Sequence, residues 1–173
     1  MTHVGIDLEQ FIADPYTSGI QRVLQYLARE WPREEVSCDF VIPFRDEFVL
    51  ATPQQASTLL NEAFDTNSPG ELRSVVNRGV DRIADECPRV RLGSLLPLYS
   101  SWLLPEVSYL PSVLERFGIF QKSMPVSMIG YDALPMTEPG NYRFVPGTGA
   151  RVSEYFRLLA TSDSVVCISE YSR

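Results

Sequence analysis

Residues 4–31 read VGIDLEQFIADPYTSGIQRVLQYLAREW, and this stretch decides the fold. It begins with a short apolar run, Val4 to Ile6, which is typical of a buried strand and ends at Asp7. From Gly19 onward the apolar residues recur at helical spacing, at Ile20, Val23, Leu24, Leu27 and Trp31. Thr17 or Ser18 is available as the N-cap of that helix, and Pro32 lies just beyond its end. A strand that passes through a loop into an amphipathic helix indicates the first half of a β-α-β unit.

The rest of the chain repeats this alternation. Strands are predicted at Val36–Ile42, at Phe48–Leu50 as a small edge strand, at Tyr99–Leu104, at Pro125–Gly130, and at Val165–Ile168 as a buried terminal strand. Helices are predicted at Gln54–Phe64, from Leu72 to Ile83, from Leu110 to Phe117 with Gly118 as the stop, and from Val152 to Leu159. We therefore expect one Rossmann-like three-layer α/β/α domain over residues 1–173, with a mainly parallel sheet that binds ligands beyond the carboxyl ends of its strands.

Composition excludes several classes of function. The formal net charge of −7 argues against a protein that binds nucleic acid along its phosphates. Three widely spaced cysteines lack the spacing of zinc ligands, and His3 is the single histidine, so no metal site is predicted. The cysteines are expected to be reduced and buried. With neither a leader-like start nor an apolar run of membrane-spanning length, the expected location is the cytoplasm.

The loop before the first helix is the first candidate site. Gly19 allows a ligand to approach the backbone, and the helix start presents unpaired N–H groups of Gly19 and Ile20 to an anion. Arg22, about one turn later, could add a charge-assisted contact to the same phosphate or carboxylate. The alternative is that Ser18 and Gly19 only begin a helix and that Arg22 is solvated surface.

Two further segments are expected at the same edge of the sheet, Tyr131–Pro135 and Ser169–Arg173. The dinucleotide glycine fingerprint and the phosphate-loop motif are both missing after the first strand, which disfavours NAD enzymes and P-loop ATPases. With one histidine, a conventional Ser-His-Asp site is also disfavoured, so an acid or base would be a carboxylate or a tyrosine. Asp132 is the candidate carboxylate, and the alternative for it is a turn residue that caps local backbone.

Three segments, taken in order, resemble the N-terminal domain of a GT-B-fold glycosyltransferase, in particular glycosyltransferase family 4. Thr17–Val23 looks like the family's loop-to-helix entry, and Tyr131–Pro135 looks like its strand-end Asp-Leu-Ile-Pro segment. Tyr155–Glu170 is similar to the family's last helix and strand of this domain. The matches together span nearly the whole chain.

The resemblance implies a retaining enzyme that transfers a sugar from a nucleoside diphosphate donor without a metal or other cofactor. This domain would shape the site for a glycan or lipid-linked acceptor, and Ser18, Gly19, Ile20 and Arg22 would face the acceptor and the donor diphosphate. Asp132 matches the family pattern as a catalytic residue. Tyr131 stands where many relatives have histidine, so a role for it would be hydrogen bonding or stacking on a sugar. The implied process is cell-surface or exopolysaccharide synthesis. The expected location is then the cytoplasm, with attachment to the inner face of the cell membrane as an alternative.

The resemblance also implies a C-terminal, donor-binding domain beyond Arg173. Ser169 and Glu170 would then lie at the domain interface, although Glu170 could equally support the first turn of a following helix. Alone, the chain is expected to bind but not to turn over, and its exposed cleft face is expected to favour a homodimer. The alternative function is a non-catalytic Rossmann-like binding or regulatory module. The donor, the acceptor and the linkage are not encoded in any motif of this sequence.

Overall fold

The computed structural model describes residues 2–16, 18–31, 36–66, 68–108, 110–131 and 148–167, with the backbone alone for residue 69 and residues 148–152. Seven strands lie within this part of the chain. They are β1 (His3–Asp7), β2 (Ser37–Phe44), β3 (Glu47–Ala51), β4 (Arg89–Val90), β5 (Ser101–Leu104), β6 (Val126–Gly130) and β7 (Ser164–Cys167).

The strands form one sheet in the order β4-β3-β2-β1-β5-β6-β7. The five strands from β2 to β7 in that order pair in parallel, whereas β3 and β4 add an antiparallel edge. Ile6 in β1 stands opposite Phe40 on one side and Leu103 on the other. From β1 the chain builds outward first towards β2 and later towards β5, so a topological switch point lies between β1 and β5.

Helices connect the strands and cover the sheet. They are α1 (Glu9–Ala13), α2 (Gly19–Glu30), α3 (Pro53–Phe64), α4 (Pro69–Glu86), α5 (Leu92–Leu95), α6 (Pro111–Phe120) and α7 (Thr148–Thr161), and a 3-10 turn at Leu96–Leu98 follows α5. At the start of α3, Thr52 and Gln55 form a reciprocal capping box. The Rossmann-like three-layer α/β fold predicted from the sequence is confirmed, and none of the described helices is long and apolar enough to cross a membrane.

Three local predictions are wrong. Helix α6 runs through Gly118 to Phe120, because the apolar stripe continues with the buried Phe120 and outweighs one glycine. Strand β3 is not an edge strand, since the two-residue β4 pairs outside it. The terminal strand β7 is exposed rather than buried in the described structure: Val165 and Val166 are 41% and 58% exposed on the outermost strand.

The centre of the core is set by Gly5 in β1. A Cβ atom at Gly5 would lie 2.4 Å from the ring of Trp102 in the neighbouring β5, so the absence of a side chain lets the indole lie across the strand. Trp102 is 1% exposed and contacts Phe120 edge to face, with ring centroids 4.5 Å apart. Gly79 has a similar role in α4, where a Cβ would lie 2.4 Å from Leu59 of α3. The glycine that weakens α4 intrinsically therefore allows the two helices to pack closely.

Candidate ligand-binding cavity at the carboxyl edge of the sheet

A cavity of about 150 Å³ opens at the carboxyl ends of β1 and β5. It is lined by Gln10, Asp14, Tyr16, Ser18, Ile20, Gln21, Glu106 and Val107. Gln10 follows β1 along the chain, Glu106 follows β5, and Ser18 to Gln21 begin α2. The cavity therefore lies at the switch point of the sheet, where ligands of open α/β folds bind.

The most unusual side chain in this cavity is Glu106, which is 3% exposed. Burial raises the pKa of its carboxyl group from 4.5 to about 8, and the nearby charges of Asp7 and Asp14 act in the same direction. Hydrogen bonds from the Gln21 side chain and from the Phe11 backbone oppose this rise. Nevertheless, the Oε2 atom of Glu106 has no hydrogen-bond partner among the described residues. A buried polar atom without a partner costs free energy, so this atom marks a place where a ligand or an ordered water would be stabilising.

Gln21 contributes a second buried oxygen of the same kind. Its Nε2 atom donates to the carbonyl oxygen of Asp14 at 3.3 Å, and the side chain is 5% exposed. Its Oε1 atom has no hydrogen-bond partner in the described part of the chain. Gln10, on another wall, accepts a hydrogen bond at Oε1 from Ser108 Oγ at 3.4 Å. Gln21 and Glu106, which line the same cavity, thus each keep one oxygen without a described partner.

The charge of the cavity wall also indicates which ligand groups the cavity favours. Among the described residues that line the cavity there is no lysine or arginine, whereas two carboxyl groups, those of Asp14 and Glu106, are present. Such a wall favours groups that donate hydrogen bonds and disfavours a phosphate placed inside the cavity.

The predicted anion loop lies at the rim of this cavity. Ser18 is confirmed as the N-cap of α2: its backbone is extended, and its Oγ accepts a hydrogen bond from the Gln21 N–H at 3.3 Å. Ile20 is half-buried and lines the cavity. Gly19 is exposed, and a Cβ there would meet no described atom within 4 Å. Arg22 is exposed, and its guanidinium group makes no hydrogen bond or ion pair within the described structure.

Tyr131, a predicted catalytic residue, is buried beside the cavity and is not part of its wall. Its hydroxyl group donates to the Pro105 carbonyl at 2.6 Å, and its backbone N–H donates to the Tyr155 hydroxyl oxygen at 3.1 Å. Tyr155 Oη in turn donates to the Ile129 carbonyl at 2.9 Å. Burial raises the pKa of Tyr131. These contacts attach the end of β6 to the turn that carries Glu106, which is a positioning role. The predicted contact with a sugar stays a prediction.

A buried ion pair fixes the end of β1. Both Asp7 and Arg116 are about 4% exposed at the side chain, and Asp7 Oδ2 accepts from Arg116 Nη2 at 2.6 Å. Glu9 lies 2.7 Å from the same nitrogen. The sequence does carry a signal for this pair, because Arg116 falls on the apolar stripe of α6 between Val113 and Phe120. The signal for Glu106 is weaker: it lies two residues beyond a predicted strand, so the carboxyl-edge rule applies to it as it does to Asp132.

The opposite edge of the sheet holds a cluster that the sequence did not predict. His3 Nε2 lies 2.9 Å from Asp39 Oδ2, and His3 Nδ1 lies 2.7 Å from Ser37 Oγ. Ser37 Oγ also donates to the Thr2 carbonyl at 3.2 Å, and Tyr99 Oη donates to Asp39 at 3.1 Å. Because the serine proton is directed to a backbone carbonyl, this cluster is best described as a polar link between the starts of β1 and β2.

Several predicted residues lie outside the described part of the chain, namely Asp132, Ser169 and Glu170. Within the described ranges, no group of three or more His, Cys, Asp or Glu side chains could hold a metal ion. None of the three cysteines, which all lie in the described ranges, forms a disulfide, and burial raises the pKa of the Cys38 thiol to about 12, with Asp39 adding to the effect. Cys38 is therefore a protonated core residue rather than a nucleophile.

Comparison with known proteins gives no relative: no protein-family model, no curated protein and no solved structure matches this chain.

Proposed function

We propose that this chain is the acceptor-side domain of a retaining, metal-independent glycosyltransferase of the GT-B type. The enzyme takes a sugar from a nucleoside diphosphate donor and serves cell-surface or exopolysaccharide synthesis. A second domain binds most of the donor, so the chain alone binds without turnover. The observation that supports the proposal best is the cavity at the switch point, whose wall combines Glu106 and Gln21 with the start of α2.

The charges around the cavity divide the substrates between two places. The described residues of the interior offer hydrogen-bond acceptors but no cation, which suits the hydroxyl groups of an acceptor. The rim offers the exposed start of α2 at Gly19 and the unpaired guanidinium group of Arg22. A diphosphate that gains charge as it departs is stabilised by both the helix N-terminus and the arginine.

Two substitutions in the longer protein, with its donor domain, test this assignment. Gly19→Val adds a side chain where a Cβ meets no described atom, so the fold is retained while the approach of a ligand is blocked. Arg22→Ala removes a charge that makes no ion pair in the described structure. Each variant is expected to lower the rate of sugar transfer, measured by product mass with a panel of nucleotide sugars.

Arg91→Ala is the matched control, because Arg91 is also exposed but lies beside β4 at the far edge of the sheet. Circular dichroism and thermal unfolding verify that each variant is folded. If Gly19→Val and Arg22→Ala both keep the wild-type rate, the diphosphate does not bind at the rim.

The second candidate is a Rossmann-like binding or regulatory module with no catalytic partner. The feature in its favour is that Glu106 and Gln21, both in this domain, each place a buried oxygen without a described partner at one cavity, so a ligand could bind there without a second domain. The same donor panel separates the two functions: transfer of a sugar supports the enzyme, and ligand binding without any product supports the module.

A further inference from the structure

We infer that the cavity beneath the start of α2 binds a neutral, hydroxyl-bearing ligand whose hydroxyl groups form hydrogen bonds with Glu106 and Gln21. The inference deepens the proposed function and rests on it only for the identity of the natural ligand. The binding itself is argued from the two buried oxygens and from the charge of the wall.

Hydroxyl groups fit the two oxygens because a hydroxyl both donates and accepts. Gln21 Oε1 is an acceptor without a donor in the described structure. The amide nitrogen of the same side chain bonds to the Asp14 carbonyl, which fixes the orientation of the amide group. Glu106 is only 3% exposed, and its Oε2 atom also has no partner among the described residues. With its pKa raised to about 8 by burial, Glu106 carries a proton at neutral pH and can donate as well as accept.

Phosphate and ammonium ligands fit this arrangement less well. A phosphate brings two or more negative charges to a wall whose described residues include Asp14 but neither lysine nor arginine. An ammonium group donates but cannot accept, so it satisfies Gln21 Oε1 but can bind Glu106 only in the ionised form, which burial disfavours. The cavity volume of about 150 Å³ corresponds to the liquid volume of about five water molecules, which suits a small polyol or part of one sugar ring.

Equilibrium binding to the chain alone tests the inference. The probes are glycerol, glucose, galactose, mannose and N-acetylglucosamine, compared with inorganic phosphate and ethylamine, and binding is followed by saturation-transfer NMR and by titration of backbone amide signals. At least one neutral probe is expected to bind saturably and to shift the amides of Ile20 and Val107, which line the cavity.

Three variants assign the contacts. Gln21→Met keeps the length of the side chain but removes the acceptor Oε1, together with the Nε2 donor to the Asp14 carbonyl, and we expect it to weaken binding about tenfold, as does Glu106→Met. Glu106→Gln retains a donor and an acceptor at the same place and should bind within about threefold of wild type. Asn77→Ala, in the separate cavity formed with Ile12 and Arg45, is the control and should leave binding unchanged.

The inference is overturned if no neutral probe binds, if Gln21→Met binds as tightly as wild type, or if phosphate or ethylamine binds in preference. Should Glu106→Met fail to fold, Gln21→Met and Glu106→Gln still decide the outcome. Because this test requires neither a donor nor a second domain, binding of a neutral probe to the chain, together with no sugar transfer by the longer protein, would refute the proposed function and leave the inference intact. Transfer without binding at these residues would do the reverse.

Discussion

The buried carboxyl group of Glu106 makes the stability of this domain depend on pH, and Glu106→Gln should remove that dependence. The folded pKa of Glu106 is about 8, compared with 4.5 for an ordinary glutamate. Between these pH values the folded state holds a proton that the unfolded state has released. The contribution of Glu106 to stability is therefore complete below about pH 4.5 and is lost as the pH rises towards 8.

The magnitude follows from linkage. At about 1.4 kcal/mol per pH unit, the interval between the two pKa values corresponds to a loss of up to about 5 kcal/mol. Glutamine has nearly the same shape and never ionises. We therefore expect the free energy of unfolding of Glu106→Gln, relative to wild type, to increase by up to that amount between pH 4 and pH 9.

Urea unfolding at several pH values measures this difference, with Trp102 as a fluorescent reporter because it is fully buried in the folded state. Subtracting the free energy of unfolding of wild type from that of the variant cancels the contributions of the other titrating groups, because both proteins contain them. Glu115→Gln on the exposed surface of α6 is the control for a change of net charge. A difference that stays constant with pH to within about 0.5 kcal/mol would refute the reasoning, because it would mean that Glu106 titrates as an ordinary carboxyl group.

Two further substitutions, Gly5→Ala and Arg116→Met, test the packing that holds the cavity in place, and Gly118→Ala is the control for the first. Gly5→Ala should cost about 1–3 kcal/mol in chemical denaturation, because its Cβ would overlap the Trp102 ring. Gly118→Ala, where a Cβ meets no described atom within 4 Å, should instead stabilise α6 by about 0.5–1 kcal/mol. Equal effects of the two substitutions would contradict the close approach of Gly5 and Trp102. Arg116→Met should cost about 3–5 kcal/mol, because it leaves the buried Asp7 carboxylate and the partly buried Glu9 carboxylate without their cation. A loss below about 1 kcal/mol in the same denaturation experiment would show that water reaches that pair.

Much of the fold was predictable because local sequence and tertiary packing agree. The apolar stripe of α2 and its cap at Ser18 are both strong local signals, and the structure contains both. Strand β1 was predictable for the same reason, since an apolar run that ends at Asp7 leads directly into a polar loop. These signals lie within a few residues of one another, so no distant contact is needed to interpret them.

The wrong predictions depend on distant partners. Gly118 is a common stop signal, but the next apolar residues of α6 pack into the core and extend the helix. Strand β4 has two residues and exists because β3 supplies a partner edge. The exposure of Val165 and Val166 depends on the place of β7 in the strand order, and strand order cannot be read from hydrophobic periodicity.

The candidate site was predictable in place but not in chemistry. The carboxyl-edge rule selected the start of α2, and Ser18 and Ile20 do line the cavity. Glu106 was missed because a glutamate after a strand is usually solvated, and its burial results from contacts with the loop that follows β1, far away in the sequence. Tyr131 was expected to face a substrate, yet its hydroxyl group already has an acceptor in the Pro105 carbonyl.

The cavity and its rim favour different ligand groups. A methionine at position 106 would fill similar space without an unpaired buried oxygen, so Glu106 carries a cost that packing alone does not require. Arg22 leaves a guanidinium group unpaired beside an exposed helix start. A hydroxyl group compensates the first feature and a phosphate compensates the second. In the proposed reaction a sugar moves from a phosphate leaving group at the rim to an acceptor hydroxyl in the cavity, so the two groups need not occupy the same cavity.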